Sequence, residues 1–296
     1  MILHKCINFI FTPLIIISLL ALCCGKASGK KDISSERVII DSFQNKTVVS
    51  NGNTIETRFQ PPTGFKRTLE DPQSFASYLR NLPLKPVGSK VHYFNGKVKP
   101  NDVHEAVVDM EIGNRDLQQC ADACMRLRGE YLYSIKAYDQ ISFNLTNGFK
   151  VEYSEWMKGN RVIVNGNKTY WSKTKQPSNT YQDFRSYMDF VFTYAGTISL
   201  SKELKSKSMN DLAIGDVFIK GGTPGKYGHA VIVVDMAENE AGEKVFMLAQ
   251  SYMPAQETQI LKNTQDPGLS PWYRVNLNEP LITPEWPFEL DQLKSW

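Results

Sequence analysis

The chain is organised around one stretch, residues 214–252, which reads IGDVFIKGGTPGKYGHAVIVVDMAENEAGEKVFMLAQSY. Three apolar runs within it, at residues 215–220, 230–236 and 245–251, have the length and the β-branched content of strands. Because these runs are almost continuously apolar, we expect the strands to be buried on both faces. The stretch therefore predicts the centre of a β-sheet.

A glycine-rich turn joins the first two of these predicted strands. Residues 221–228, GGTPGKYG, hold four glycines and a proline, so the backbone there can approach a ligand closely. His229 follows at once, at the start of the middle strand. A histidine held at a strand end suits a general base, and it equally suits a residue that only bonds a loop carbonyl. The motif alone leaves both interpretations open.

Composition places the chain among ordinary globular proteins. Its 296 residues are enough for one large core or two modest ones, and 42% of them are hydrophobic while 22% are charged. A net charge of +3, spread without a basic stripe, predicts no nucleic-acid partner. Nothing in the sequence indicates an oligomeric state.

The N-terminus has the pattern of an export signal. Residues 1–24 contain a lysine followed by the apolar run FIFTPLIIISLLALCC, although that run also approaches the length of about 20 residues that spans a membrane. The end of the run resembles a bacterial lipobox, in which a cysteine after a small residue is lipidated. Cys24 fits that position better than Cys23, because Leu22 is bulky. We therefore expect lipidation at Cys24, with ordinary signal cleavage as the alternative.

This N-terminus predicts an extracytoplasmic, periplasmic protein that reaches the membrane through its lipid anchor only. Residues 25–60 are rich in Ser, Asn, Lys and Gly, and they predict a flexible tether. Residues 61–296 are then expected to form a single α+β domain.

Residues 114–133 predict an amphipathic helix that carries both cysteines outside the signal. Its apolar members recur at spacings of three and four: Leu117, Cys120, Cys124, Leu127 and Tyr131. With Asp116 as the expected N-cap, Cys120 lies in the first turns, where free N–H groups favour a thiolate and lower the pKa. Two cysteines four apart on a helix are poorly placed for a disulfide. Both could instead be small apolar fillers, and Cys124 suits that role better.

Shorter elements surround these two regions. Asn95-Gly96, Asn147-Gly148 and Asn165-Gly166 each predict a hairpin turn, and Asp71-Pro72 predicts a helix start. A second helix carries Phe184 and Tyr187 on its apolar face and stops at Gly196. The aromatic residues of the hairpin region could line a groove or pack the hairpins: Trp156, Tyr170 and Trp171.

The order of three segments resembles a known group of enzymes. Gln119-Cys120 at a helix start, Gly228-His229-Ala230 on a strand and Gln250 on the next strand are similar to papain-like cell-wall amidases of the CHAP and NlpC type. The resemblance implies that Cys120 is the nucleophile, His229 the base and Gln250 the residue that orients the imidazole. The backbone at Cys120, with the side chain of Gln119, would stabilise the oxyanion. Ser251 and Asp235 are alternatives for the third member.

The resemblance also implies a fold and a substrate class. The fold would be a papain-like α+β domain, in which an antiparallel sheet packs against the N-terminal cysteine-bearing helix and hairpins are inserted. The function would be a cysteine amidase or peptidase acting on peptidoglycan peptide or a related amide, without cofactor or metal. The Cys120 sulfur should then lie within hydrogen-bonding reach of a His229 ring nitrogen. The body from about residue 61 further resembles an exported bacterial family, domain of unknown function 4846.

Other functions remain compatible with the sequence. An envelope lipoprotein without catalysis could bind glycan or peptide in the same groove. A glycosidase with two carboxylates leaves no spacing signal and is not excluded. The three histidines after the signal, His92, His104 and His229, show no paired ligand spacing and predict no zinc site.

Overall fold

The computed structural model describes residues 48–166, 168–223 and 225–296. The expected signal, Cys24 and the tether up to residue 47 lie outside the described residues. Within the described part of the chain, no helix is long and apolar enough to cross a membrane. Residues from 48 onward belong to one compact unit.

Six α-helices lie in the described residues: α1 (Ile55–Arg58), α2 (Phe75–Arg80), α3 (Cys120–Ser134), α4 (Tyr153–Met157), α5 (Tyr181–Tyr194) and α6 (Thr197–Glu203). The first eight strands are β1 (Phe65–Arg67), β2 (His104–Val107), β3 (Ser142–Asn144), β4 (Lys150–Glu152), β5 (Asn160–Asn165), β6 (Lys168–Lys173), β7 (Lys205–Ser206) and β8 (Val217–Lys220). They are followed by β9 (His229–Asn239), β10 (Lys244–Gln250), β11 (Gln259–Leu261), β12 (Tyr273–Arg274), β13 (Leu281–Ile282), β14 (Pro287–Phe288) and β15 (Leu293–Ser295).

A nine-stranded sheet forms the centre of the fold. Its main path runs β2-β11-β10-β9-β8-β15-β7, while β1 pairs with β9 and β12 pairs with β10. Each of these pairs is antiparallel. The three strands expected from residues 214–252 are confirmed as β8, β9 and β10, with β9 the longest at 11 residues.

The middle strand β9 is buried on both faces, as its unbroken apolar run predicts. Ala230, Ile232 and Val234 belong to one hydrophobic core, together with residues of α2, α3 and α5. The alternating residues Val231 and Val233 belong to a second core on the opposite face. Because successive side chains of a strand point to opposite faces, one apolar segment contributes to both cores. This burial stabilises the sheet by about 2 kcal/mol for each aliphatic side chain.

The cysteine-bearing helix α3 packs on β9 and begins later than predicted. Its N-cap is Gln119, whose backbone N–H donates to Asp122 Oδ2 at 3.1 Å. The predicted N-cap at Asp116 is wrong, because Asp116 Oδ1 instead accepts the N–H of Ala255 at 2.7 Å and the Gln119 amide at 3.0 Å. The side chain of Asp116, which the local pattern predicts as the N-cap, is therefore engaged in a tertiary contact. Cys120 becomes the first helical residue.

Two hairpins lie between α3 and β8 in the sequence. The predicted turns at Asn147-Gly148 and Asn165-Gly166 are confirmed, since they join β3 to β4 and β5 to β6. Gly196 follows α5, as predicted, and also caps α6. The turn at Asn95-Gly96 closes only an isolated bridge, and α2 starts after Ser74 rather than at Asp71.

Order begins before the expected boundary at residue 61. Helix α1 lies inside the stretch that was expected to be tether, and its Ile55 is fully buried, as is Phe59 just after it. These two side chains are one helical turn apart, so both reach the same core. The polar surroundings of this short motif explain why its composition predicts a tether. The fold is thus a mixed α and β structure with a mainly antiparallel sheet.

Candidate functional site

The thiol of Cys120 lies where the start of α3 meets the start of β9. Its sulfur lies near the backbone N–H groups of Ala121 and Ala230, which act to lower the pKa of the thiol. Ala230 directly follows His229, so the thiol is next to the backbone of the predicted base. Cys120 is buried, with 6% of its surface exposed.

A cleft of about 370 Å³ reaches this thiol. The starts of α3 and α6 and the glycine-rich turn form its walls, and the lining includes Asp116, Gln119, Cys120, Asp122, Tyr227 and Gly228. Carboxyl, amide and thiol groups therefore meet in one concave space. Such a mixture of few polar groups and apolar walls is typical of small-molecule or peptide sites.

Gly228 allows the glycine-rich turn to reach this wall of the cleft. A Cβ atom at this position would lie 2.2 Å from the carbonyl oxygen of Lys220 and 2.5 Å from the Thr197 hydroxyl. Both distances are shorter than any real contact of a Cβ atom. Only glycine therefore lets the turn pack this closely on β8 and α6.

His229 and Gln250 are brought together as the sequence predicts. The ring Nε2 of His229 lies 2.9 Å from Gln250 Oε1, and both side chains are buried. An amide oxygen only accepts, so Nε2 carries the proton and Nδ1 is left as the basic nitrogen.

The two alternatives for the third member have other partners. The hydroxyl of Ser251 donates to the carbonyl oxygen of Gln256 at 2.6 Å, and Asp235 forms ion pairs with two arginines. Neither contacts the imidazole. Gln250 is therefore the residue that holds the His229 ring.

An aromatic wall encloses the imidazole. The ring centroids of Tyr252, Trp286 and Phe288 lie 4.6, 5.5 and 5.9 Å from that of His229, whose residue is 1% exposed. Burial lowers the pKa of His229 to about 4, and the hydrogen bond that Nε2 donates to Gln250, with the charge of Glu285, opposes that shift only in part. The resting imidazole is neutral at physiological pH.

The prediction of a depressed Cys120 pKa is wrong. Burial, and then the nearby carboxyl of Asp122, raise the pKa of this thiol to about 12, and they outweigh the N–H groups at the helix start. Both members of the predicted pair are therefore neutral at rest. Between their two side chains, both of which the structure describes, there is no hydrogen bond; the imidazole is bonded to Gln250 instead.

Asp122 is a buried acid in the cleft wall, and sequence reasoning missed it. Burial raises its pKa to about 8. Its Oδ2 accepts the Gln119 N–H, while Oδ1 is buried with no partner among the described residues. Its position three residues after the N-cap is the signal that could have identified it, because an acid there closes a capping box.

Gln119 and Cys124 complete the helix start. The Gln119 side-chain amide donates to Asp116 Oδ1 and lines the cleft, and one of its two amide hydrogens stays free for another acceptor. Cys124 is 1% exposed, its Sγ donates to the Cys120 carbonyl oxygen at 3.6 Å, and neither cysteine is in a disulfide. Burial raises the Cys124 pKa well above the ordinary value. Cys124 is a packing residue.

Behind Gln250 lies an ion pair that no local pattern predicts. Gln250 Nε2 donates to Glu285 Oε2 at 2.6 Å, and Lys99 Nζ donates to the same oxygen at 2.7 Å. Glu285 is 35 positions from Gln250 and 186 from Lys99. Contacts at such separations leave no spacing signal in the sequence.

The remaining histidines and two of the three hairpin aromatics have structural partners, whereas Tyr170 is 50% exposed. His92 Nδ1 lies 3.2 Å from a Glu257 oxygen, and His104 Nε2 lies 3.0 Å from the Ser89 carbonyl oxygen. Trp156 packs on Tyr187 and Phe190 of α5, while Trp171 packs on Phe149. In residues 48–166, 168–223 and 225–296, no group of three or more His, Cys, Asp or Glu is placed to hold a metal.

Comparison with known proteins adds the family. Among curated proteins none matches the chain, and among solved structures none does. These comparisons therefore do not support the resemblance to CHAP and NlpC amidases. One family model, domain of unknown function (4846), matches residues 55–295. Because this match covers most of the chain, the protein belongs to the family described as domain of unknown function 4846.

Proposed function

We propose that the protein is a cysteine amidase or peptidase of papain-like architecture that cleaves cell-wall peptide or a related amide. The observation that carries this proposal is the arrangement at the start of β9. The Cys120 sulfur lies beside the backbone N–H of Ala230, which lowers the pKa of the thiol, and the preceding His229 has its Nε2 held by Gln250. This leaves the basic Nδ1 of His229 for the thiol proton.

The reaction starts from the neutral pair. As the Cys120 sulfur attacks the amide carbon, the thiol proton passes to His229 Nδ1 and a C–S bond forms. The imidazolium then gives that proton to the leaving amine, and the C–N bond breaks. Water attacks the resulting thioester with His229 again as base, which releases the carboxylic acid and restores the thiol. Because the neutral imidazole is the required form, activity is expected to fall only as pH approaches about 4.

Backbone groups at the helix start support the charge that develops on oxygen. The first N–H groups of a helix have no intrahelical partner, so the Cys120 N–H is free to donate to a tetrahedral oxyanion. The spare amide hydrogen of Gln119 is a second donor beside the cleft. One such donor is worth about 3 kcal/mol in transition-state stabilisation.

The proposed location is the cell envelope. An export signal at residues 1–24 with lipidation at Cys24 would anchor the domain outside the cytoplasm, where peptidoglycan peptides are the abundant amides. The mass of the mature N-terminus tests this part of the proposal, because an unmodified residue beyond Cys24 would contradict it.

Peptidoglycan fragments are the substrate with which to test the activity. We expect the mature protein to release new amines, and Cys120→Ser to lower the rate by at least about 10³-fold while fragments still bind. Cys124→Ser is the matched control, because it changes the same atom one turn deeper and should leave the rate per folded molecule unchanged. His229→Ala should be as inactive as Cys120→Ser. If the parent protein and Cys120→Ser bind fragments equally and neither releases amines, the chain is a binding protein of the envelope.

A further inference from the structure

A buried chain of polar groups continues from His229 away from the cleft. It runs from Gln250 to Glu285 and ends at Lys99, with donor–acceptor distances of 2.9, 2.6 and 2.7 Å. The side chain of Lys99 is 3% exposed and that of Glu285 is 12% exposed. The chain therefore ends in an ion pair that is shielded from water.

The chemistry of the end groups sets the direction of every hydrogen bond in this chain. An ammonium group only donates, and a carboxylate only accepts. Glu285 Oε2 thus requires a donor from Gln250, which turns the amide nitrogen towards Glu285 and the amide oxygen towards His229. The amide oxygen in turn requires the His229 proton on Nε2. Nδ1 is then the free base.

Without the Glu285 carboxylate, no other group in this hydrogen-bonded series distinguishes the oxygen from the nitrogen of the Gln250 amide. A flipped amide would present its NH₂ group to His229, and the ring would respond by moving its proton to Nδ1. That tautomer has no base on the side that faces away from Gln250. The orientation of one amide therefore decides whether the imidazole can take a proton from a thiol.

The ion pair is costly to keep in this position, which argues against a purely stabilising role. Burial lowers the pKa of Lys99, and Glu285 only partly opposes the shift. Replacing a buried ion pair with apolar groups is often neutral or stabilising. Lys99 also lies 5.9 Å over the Tyr252 ring, which itself packs on His229. The charges of Lys99 and Glu285 therefore both lie close to the His229 imidazole.

We propose that Glu285, held by Lys99, is a positioning residue that fixes the Gln250 amide and thereby the His229 tautomer whose free nitrogen is Nδ1. This inference rests on the proposed function, because it assigns Glu285 a purpose in the same reaction. Glu285 touches neither the thiol nor the cleft; it reaches His229 through Gln250 and through its charge, which raises the pKa of the imidazole.

The histidine tautomer can be measured directly by ¹⁵N NMR of the mature protein labelled in its imidazole rings. We expect His229 to show the Nε2-protonated form alone, and Glu285→Gln to show a mixture of both tautomers. Glu257→Gln is the matched control, because Glu257 also pairs with a lysine, Lys85, and its side chain is equally 12% exposed. It should leave the His229 signals unchanged. An unaltered single tautomer in Glu285→Gln would overturn the inference.

A second variant removes the risk that an unpaired Lys99 prevents folding. Lys99→Met combined with Glu285→Gln deletes both charges and should give the same tautomer mixture. With peptidoglycan fragments, we expect either variant to lower kcat about twofold with KM unchanged, because only the correct tautomer, about half of the molecules, reacts. A parent protein without amidase activity whose tautomer still depends on Glu285 would refute the proposed function and leave the positioning role standing. An active parent with unchanged kcat and tautomer in Glu285→Gln would refute the positioning role alone.

Discussion

Two buried aspartates, Asp235 on β9 and Asp122 on α3, have opposite surroundings. Asp235 is fully buried, and its oxygens accept from Arg67 Nε at 2.7 Å and Arg80 Nε at 2.6 Å. Asp122 is almost as buried, has no cationic partner, and keeps one oxygen unbonded among the described residues. Burial of a polar group therefore does not by itself mark a functional site.

What separates the two regions is how fully their polar groups are satisfied. The arginines around Asp235 come from β1 and α2, so the ion pairs join three elements of the fold. Around Asp122 the cleft begins, and the nearest reactive group is the Cys120 thiol. A saturated cluster serves the architecture, whereas a buried acid that lacks a partner beside a cleft calls for another explanation.

The largest effect on stability is expected when Asp235 loses its charge. Asp235→Asn leaves two guanidinium groups buried without a counter-charge, so the free energy of unfolding should fall by about 3–5 kcal/mol. Chemical denaturation followed by circular dichroism measures it. Asp102→Asn is the control, because Asp102 pairs with Lys262 at the surface with 58% of its side chain exposed, and it should change stability by less than about 1 kcal/mol. Equal effects of the two variants would show that the Asp235 cluster is not structural.

The same substitution at Asp122, Asp122→Asn, is expected to raise the stability of the protein rather than lower it. Its pKa is raised from the ordinary value of 3.8 to about 8, so the folded protein keeps a proton that the unfolded chain has lost. Stability should therefore fall as pH rises from about 4 to about 8. Asn carries no titrating proton and still accepts the Gln119 N–H.

Asp122→Asn should consequently match the parent protein near pH 4 and exceed it at pH 8 by several kcal/mol, because each unit of pKa shift is worth about 1.4 kcal/mol. Denaturation curves at the two pH values measure this difference. A variant that is less stable than the parent at pH 8 would contradict the assignment of Asp122 as an unpaired buried acid.

The smallest expected effect concerns the reactivity of the thiol. The charge of Asp122 contributes to the raised pKa of Cys120. Asp122→Asn should therefore increase the thiolate fraction and speed the alkylation of Cys120 at pH 9 by about 3- to 10-fold. Mass spectrometry of the peptide that contains Cys120 and Cys124 reports both thiols. Asp235→Asn should leave the rate unchanged if the protein stays folded. The same acceleration in both variants would mean that loosening of the fold, not charge, controls access.

Sequence patterns anticipated the elements better than their ends. The apolar runs around β9 and the Asn-Gly turns are local signals, and the corresponding strands and hairpins were found. The start of α3 was misplaced because Asp116, a good N-cap by type, bonds Ala255 across the fold. The predicted tether extends too far because Ile55 in α1 and Phe59 just after it are buried residues within a polar segment.

The sequence by itself determined the central strands, the helix that carries Cys120 and Cys124, and the order Cys120, His229, Gln250, because these depend on composition and periodicity along the chain. Only the tertiary structure decided which polar groups meet: it joined Gln250 to His229, brought Glu285 and Lys99 behind them, and left Asp122 unpaired. It also decided the protonation of the site, raising the pKa of Cys120 where the helix start alone predicted a lower one. Burial depends on what the rest of the chain packs around a group, and here its desolvation outweighs the local effect of the helix.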